Sequence, residues 1–146
     1  MSTLMFIQWS DSLILLLAIA IAAALIYLPY LWVGYARFRV GYDLAAPRAM
    51  FDRLPAYAQR ATWAHQNSFE TFLPFAAAAF MAYITNGGSA TTTSAALVFL
   101  ASRVAYSACY ILNVPLLRSA SFIVCSLATL LLFAVGLDAA GFHPSL

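Results

Sequence analysis

The sequence predicts an all-α membrane protein, a four-transmembrane-helix bundle with both termini on the non-cytoplasmic side. Three observations carry this. The 146-residue chain is 64% hydrophobic and only 8% charged, with a mean hydropathy of +0.88, whereas soluble domains stay near half apolar and about a quarter charged. Its apolar residues fall into four long runs parted by turn-forming sequence. Its seven basic residues are all arginine, and six of them lie in or beside two of the loops. A chain this poor in polar groups cannot cover a water-facing surface, so the bilayer is its expected solvent. The length fits one domain, residues 1–146. A net charge of +2, thinly scattered, gives no nucleic-acid surface.

Each run has its own boundary signals. The first, residues 12–35, is long enough to span, has Ser10 or Asp11 as N-cap, and is kinked near its far end by Pro29. It has neither a basic n-region nor an A-x-A cleavage site, so it reads as a retained helix and not a signal peptide. The second run, 58–84, opens with RATWAHQNSFE, the densest polar cluster in the chain. TNGGSATTT then makes a turn into the third run, 94–113. Pro115 breaks the chain before the fourth, 116–137, and the tail DAAGFHPSL reads as irregular, with His143 solvated.

The arginines set the orientation. Arg37, Arg39, Arg48, Arg53 and Arg60 belong to the first loop or its edges, and Arg118 follows the third run. The second loop and both termini carry no Arg or Lys. The positive-inside rule therefore places loops 36–57 and 113–118 in the cytoplasm.

The polar residues within the runs point to a site. At 100° per residue, Arg60, Asn67 and Glu70 fall within about 80° of one another, while His65 faces the opposite side. Arg103, Tyr106 and Tyr110 share one face of the third run through spacings of three and four. Counted from the expected helix ends at 1.5 Å per residue, Glu70 lies about 18 Å deep and Arg103 about 15 Å. An ion pair between them is expected, because an unpaired charge at that depth costs at least about 2.5 kcal/mol. Asn67 and Tyr106 match similarly, at roughly 10–14 Å. Such a layer is either structural glue between helices or a ligand site, and intramembrane ionisable groups favour the second. The implied ligand is small, zwitterionic or polyanionic, with arginines for its carboxylates and Glu70 for an ammonium group.

Other polar and sulfur-bearing residues read as ordinary. His65 reads as a helix–helix contact, and Cys109 and Cys125 as small buried hydrophobes without CxxC or metal spacing. The loop arginines read as topology determinants and lipid-headgroup contacts. No metal-ligand cluster, nucleophile–base pair or phosphate loop is apparent in the sequence.

Three stretches together resemble one family. AHQNSFETFLPF resembles the A-H-x-N-x-x-E-x-x-x-P-F signature of the MAPEG family, the membrane-associated proteins of eicosanoid and glutathione metabolism. SRVAYSACY resembles its R-x-x-[HY]-x-x-x-Y stretch, and PLLRSASF its P-x-R-S-x-x-x-[FY] opening of the fourth helix. The resemblance covers all four runs. It implies a homotrimer of four-helix bundles, with glutathione as co-substrate between neighbouring subunits near the cytoplasmic face. It makes Asn67, Glu70, Arg103, Tyr106 and Tyr110 candidate glutathione contacts, and matches Arg60 to a basic position. Arg118 matches the arginine proposed to stabilise the glutathione thiolate, and so becomes the candidate catalytic residue. A cation beside sulfur lowers the thiol pKa and supplies the nucleophile. Trp63 stands where animal members usually carry another arginine. The compact length and all-Arg basic set resemble a bacterial branch, hence an inner-membrane location.

The expectation is an integral membrane, glutathione-dependent transferase or peroxidase acting on lipophilic electrophiles or lipid hydroperoxides. Its partners are membrane lipids, the lipophilic substrate and two further copies of itself. The alternative is a non-catalytic scaffold or lipid-binding protein that retains the fold. A channel fits less well, because the polar face does not continue into the apolar outer halves of the second and fourth runs.

Overall fold

The computed structural model describes residues 10–142. The expectations for His143 and for the chain ends lie outside those residues. Five α-helices and one 3₁₀ helix follow in order: α1 (Asp11–Leu25), α2 (Leu28–Arg39), the 3₁₀ helix (Pro47–Arg53), α3 (Ala56–Ile84), α4 (Ala90–Ile111) and α5 (Pro115–Ala139). The described residues contain no strand.

Local chemistry sets the boundaries. Ser10 caps α1, its hydroxyl accepting from the Leu13 N–H at 3.3 Å. Pro29 has no N–H to donate, so the ladder breaks at Ile26 and Tyr27, and the expected kinked helix is two helices that continue to Arg39. The first loop is correspondingly shorter and holds the 3₁₀ helix begun by Pro47. α4 starts at Ala90, four residues before the expected start, because Ser89 and Thr92 form a capping box that draws the threonines into the helix. Asn86 and Asn113, at φ 56° and 61°, sit in the left-handed region that closes α3 and α4. Pro115 occupies the first turn of α5, where a missing N–H costs nothing.

The bundle runs up and down. The Thr93 hydroxyl donates to Asp11 at 2.6 Å, and Gly87 lies against Ala139, gathering the start of α1, the α3–α4 turn and the end of α5 at one end. The 3₁₀ helix and the α4–α5 turn mark the opposite end. α5 packs along α4 and α3, while α1 lies on α3 and α4. Small residues make these approaches possible: Ala18, Ala78, Ala79, Ala82, Ala95 and Ala96 are all buried. A Cβ on Gly136 would stand 3.0 Å from Met81 Cε and 3.2 Å from the Ala82 nitrogen, so α5 meets α3 almost backbone to backbone. Phe75 and Phe99 stack at the centre with centroids 3.7 Å apart.

Outward faces are as apolar as the core. Leu73, Leu97, Ile123, Leu127 and Leu130 are all more than half exposed, as expected where lipid replaces water. Three stretches are long and apolar enough to cross a membrane: Asp11–Arg39, Ala90–Ile111 and Pro115–Ala139. α3, the longest helix at 29 residues, is not among them. Its Arg60–Glu70 cluster dilutes the hydropathy of the stretch that was expected to be the second span.

Candidate functional site

A polar chain crosses from α3 to α5 through α4. Arg103 on α4 is 4% exposed and donates from Nη1 to Asn67 Oδ1 at 3.1 Å and from Nη2 to the Ser68 hydroxyl at 3.0 Å. The Asn67 amide donates in turn to Glu70 Oε2 at 3.2 Å. The guanidinium lies over the Tyr106 ring at 4.3 Å, Tyr106 meets Tyr110 edge to face at 5.5 Å, and the Arg118 guanidinium covers the Tyr110 ring at 4.7 Å. Each contact reflects spacing. Asn67 and Glu70 are one turn apart on α3, and Arg103, Tyr106 and Tyr110 line one face of α4.

The expected direct Glu70–Arg103 ion pair is replaced by a bridge through Asn67. The reason lies in the helix ends. α3 begins at Ala56 and α4 ends at Ile111, each two residues from the expected limit. The two shifts widen the depth difference between Glu70 and Arg103 from about 3 Å to about 9 Å, so Arg103 falls short of Glu70 and meets Asn67 and Ser68 instead. Ser68 is not among the residues the sequence singles out, since at 100° per residue it falls about 100° from Asn67, off the face that Arg60, Asn67 and Glu70 share. It also bonds the Ala64 carbonyl at 2.8 Å and so presents a fixed acceptor to Arg103.

Arg60 leaves this chain. Its Nε donates to the Ile111 carbonyl at 3.0 Å, where it caps the C-terminus of α4. A cation there satisfies a free carbonyl and complements the helix dipole. His65 faces the other way, as the helical wheel indicated. Its Nδ1 lies 2.7 Å from the Ile26 carbonyl, in the break between α1 and α2, and its ring meets Tyr30 at 4.7 Å. Trp63 packs between Phe51 at 5.7 Å and Tyr110 at 6.4 Å, tying the 3₁₀ helix to the aromatic end of the polar chain.

Two cavities adjoin the chain. One of about 310 Å³ is lined by Asn67, Tyr106, Tyr110, Arg118, Ser119 and Phe122. The second, of about 350 Å³, shares Asn67 and Phe122 with the first, takes in Glu70, and continues past Cys125 and Thr129 to Leu130 and Phe133. The first presents a cation, an amide and two phenols. The second is mostly apolar, with Glu70 on its wall. Cys125 is buried there, its thiol 3.1 Å from the Phe122 carbonyl. The described residues contain no cluster of His, Cys, Asp and Glu suited to a metal ion.

No curated protein matches the chain. The model of the MAPEG family matches residues 14–137, which hold all of the polar chain and both cavities, and the protein therefore belongs to the MAPEG family.

Proposed function

We propose that the protein is a membrane-embedded, glutathione-dependent transferase or peroxidase acting on lipophilic electrophiles or lipid hydroperoxides. The observation that carries this reading is the pair of adjoining cavities, polar at Arg118 and Tyr110 and apolar towards Phe133, joined at Asn67 and Phe122. The polar cavity suits a peptide thiol. Arg118 would hold the thiolate, the Asn67 amide and the Tyr106 and Tyr110 hydroxyls would hold its polar backbone, and Glu70, exposed on the wall of the adjoining cavity beside Asn67, would take its ammonium group. Arg103 supports that wall from behind.

The chemistry balances. A guanidinium beside sulfur favours the thiolate, which attacks the electrophilic carbon, forms the C–S bond and expels the leaving group with its electron pair. With a hydroperoxide, the thiolate attacks the terminal oxygen and breaks the O–O bond. The alkoxide takes a proton and leaves as an alcohol. A second thiol then converts the sulfenic acid to a disulfide and water.

The assembly belongs to the same proposal. α3 is the fourth span, since 29 residues reach about 43 Å and its polar face is covered by α4 and α5. The arginine-rich end faces the cytoplasm and both termini lie outside, in an inner membrane if the chain is bacterial. Three copies associate, the thiol approaches from the cytoplasm and the lipophilic substrate enters laterally from the bilayer.

One observation favours a second reading, a scaffold or lipid-binding protein. Arg103 is buried and engaged by Asn67, Ser68 and Tyr106, as interhelical glue would be. A glutathione-dependent thermal shift and a conjugation assay on the detergent-solubilised protein separate the two. Stabilisation by millimolar glutathione with turnover of a model electrophile is expected. Neither effect appearing sinks the enzyme reading.

A further inference from the structure

Trp63 lies on the stripe of α3 that carries the site. At 100° per residue it falls about 20° from Glu70 and about 40° from Asn67, and it stands about 10 Å from Glu70 along the helix axis. Its side chain is 43% exposed and its ring meets Tyr110, on the wall of the polar cavity, at 6.4 Å. Phe51 packs against it at 5.7 Å, and Tyr110 passes the contact on to Tyr106. The indole N–H has no acceptor among the described residues. The cytoplasmic edge of the polar cavity is therefore a line of rings with one spare neutral donor.

The charges nearby are few and mostly engaged. Arg103 donates to Asn67 and Ser68, and Arg60 donates to the Ile111 carbonyl and lines neither cavity. Among the described residues, Arg118 is the one cation on the walls of the two cavities and Glu70 the one anion. Under the thiol reading these two meet the thiolate and the ammonium group. Glutathione carries two carboxylates besides, and neither wall offers a second cation for them. A carboxylate drawn out of water without a counter-charge is disfavoured.

Rings select differently from cations. An exposed indole gains from contact area with a neutral ester or amide, and its N–H donates to their carbonyl oxygens without needing a charge. Distance decides which end of the ligand meets it. With the ammonium group at Glu70 and the sulfur at Arg118, the far end of a tripeptide thiol reaches back along α3 to Trp63, because about 10 Å lies within the span of three residues.

From this we infer that Trp63 sets the thiol specificity of the site. The end of the ligand remote from its ammonium group rests on the Trp63 and Tyr110 rings, so thiols whose terminal carboxyl is esterified or amidated are taken at least as readily as free glutathione. The inference rests on the thiol reading and adds which thiols it admits. The other use of an exposed tryptophan, as an interfacial anchor, gives it no influence on that choice.

The test is titration calorimetry on the full chain in detergent at neutral pH, with glutathione, its glycyl ethyl ester and its glycinamide analogue. Both neutral analogues are expected to bind within about threefold of glutathione or more tightly. Trp63→Arg is expected to raise glutathione affinity about tenfold through a charge-assisted contact and to leave both analogues where they were. Trp63→Phe, which keeps a ring and adds no charge, keeps the parent's order of preference. Glutathione binding the parent at least about tenfold more tightly than both analogues overturns the inference alone, since a cation outside these walls, a neighbouring copy's included, then holds the carboxylate. An unchanged order of preference in a folded Trp63→Arg protein also overturns it and leaves Trp63 as an anchor. The parent's own preference decides the matter where the arginine variant does not fold. No binding of any of the three thiols overturns the thiol reading, and this inference with it.

Discussion

Arg103 reaches Glu70 only through Asn67: the guanidinium donates to the amide oxygen at 3.1 Å, and the amide nitrogen donates to the carboxylate at 3.2 Å. The amide is polarised from both ends, and Glu70 keeps one oxygen free of this chain. Under the proposed function, the relationship separates a structural task, carried by Arg103 and Asn67, from a binding task left to Glu70. Asn67→Leu removes the bridge and leaves buried donors on Arg103 unmet. A loss of about 1–3 kcal/mol is expected, seen as a lower melting temperature in detergent. Glu70→Gln keeps an acceptor for the Asn67 amide, so stability stays within about 0.5 kcal/mol. If the proposed function holds, its glutathione affinity falls, because a neutral amide does not pair with an ammonium group. Equal stability losses in both variants would return Glu70 to the scaffold.

Arg118 is partly exposed and its guanidinium lies over the Tyr110 ring at 4.7 Å. A cation–π contact at such a site contributes about 0.5–1 kcal/mol. Arg118→Ala is therefore expected to fold and assemble normally while turnover drops by about a hundredfold, the usual effect of removing one group that stabilises developing or bound anionic charge. Steady-state kinetics together with the pH dependence of thiolate absorbance in the bound state check this. Unchanged kinetics in the variant would remove Arg118 from catalysis.

Gly136 marks the closest approach of α5 to α3. Gly136→Ala puts a Cβ 3.0 Å from Met81 Cε, which can swing aside, and 3.2 Å from the Ala82 nitrogen, a backbone atom that must give by a few tenths of an ångström. Gly136→Val cannot be accommodated without parting the helices, and a cost of about 1–3 kcal/mol is expected. Thermal denaturation of the two variants in the same detergent should rank them in that order.

Much of the bundle was legible because polarity and punctuation agree. Pro29, Pro115 and the asparagines before each turn are backbone statements that context does not overrule. The opposed faces of His65 and Asn67 also follow from helical period alone. Depth was less legible. A two-residue error at each of two helix ends is enough to move Arg103 by one turn, which is why the sequence pairs it with Glu70 and the structure with Asn67 and Ser68. Arg60 shows the same limit. A wheel angle places it on the site's face, but the unsatisfied carbonyl of Ile111, a product of where α4 stops, captures it. Arg37 reads in the sequence as a loop-edge charge, whereas it is buried on α2 with its guanidinium against the Tyr30 hydroxyl one face-repeat earlier.

His65 offers a control on the opposite face of α3. A carbonyl can only accept, so Nδ1 carries the proton in the contact with Ile26 at 2.7 Å. The contact gives a donor to the Ile26 carbonyl, which lies in the break between α1 and α2. His65→Leu keeps the ring's apolar packing with Tyr30 and Phe69 in part but strands the Ile26 carbonyl, so stability falls by about 1–3 kcal/mol. Glutathione affinity, which the proposed function sets on the other face, should not change. His65→Asn, whose amide can still donate, should recover part of the loss. Measuring melting temperature and glutathione affinity on the same samples makes the separation visible. A fall in affinity that tracks the fall in stability would mean that the two faces of α3 are not independent.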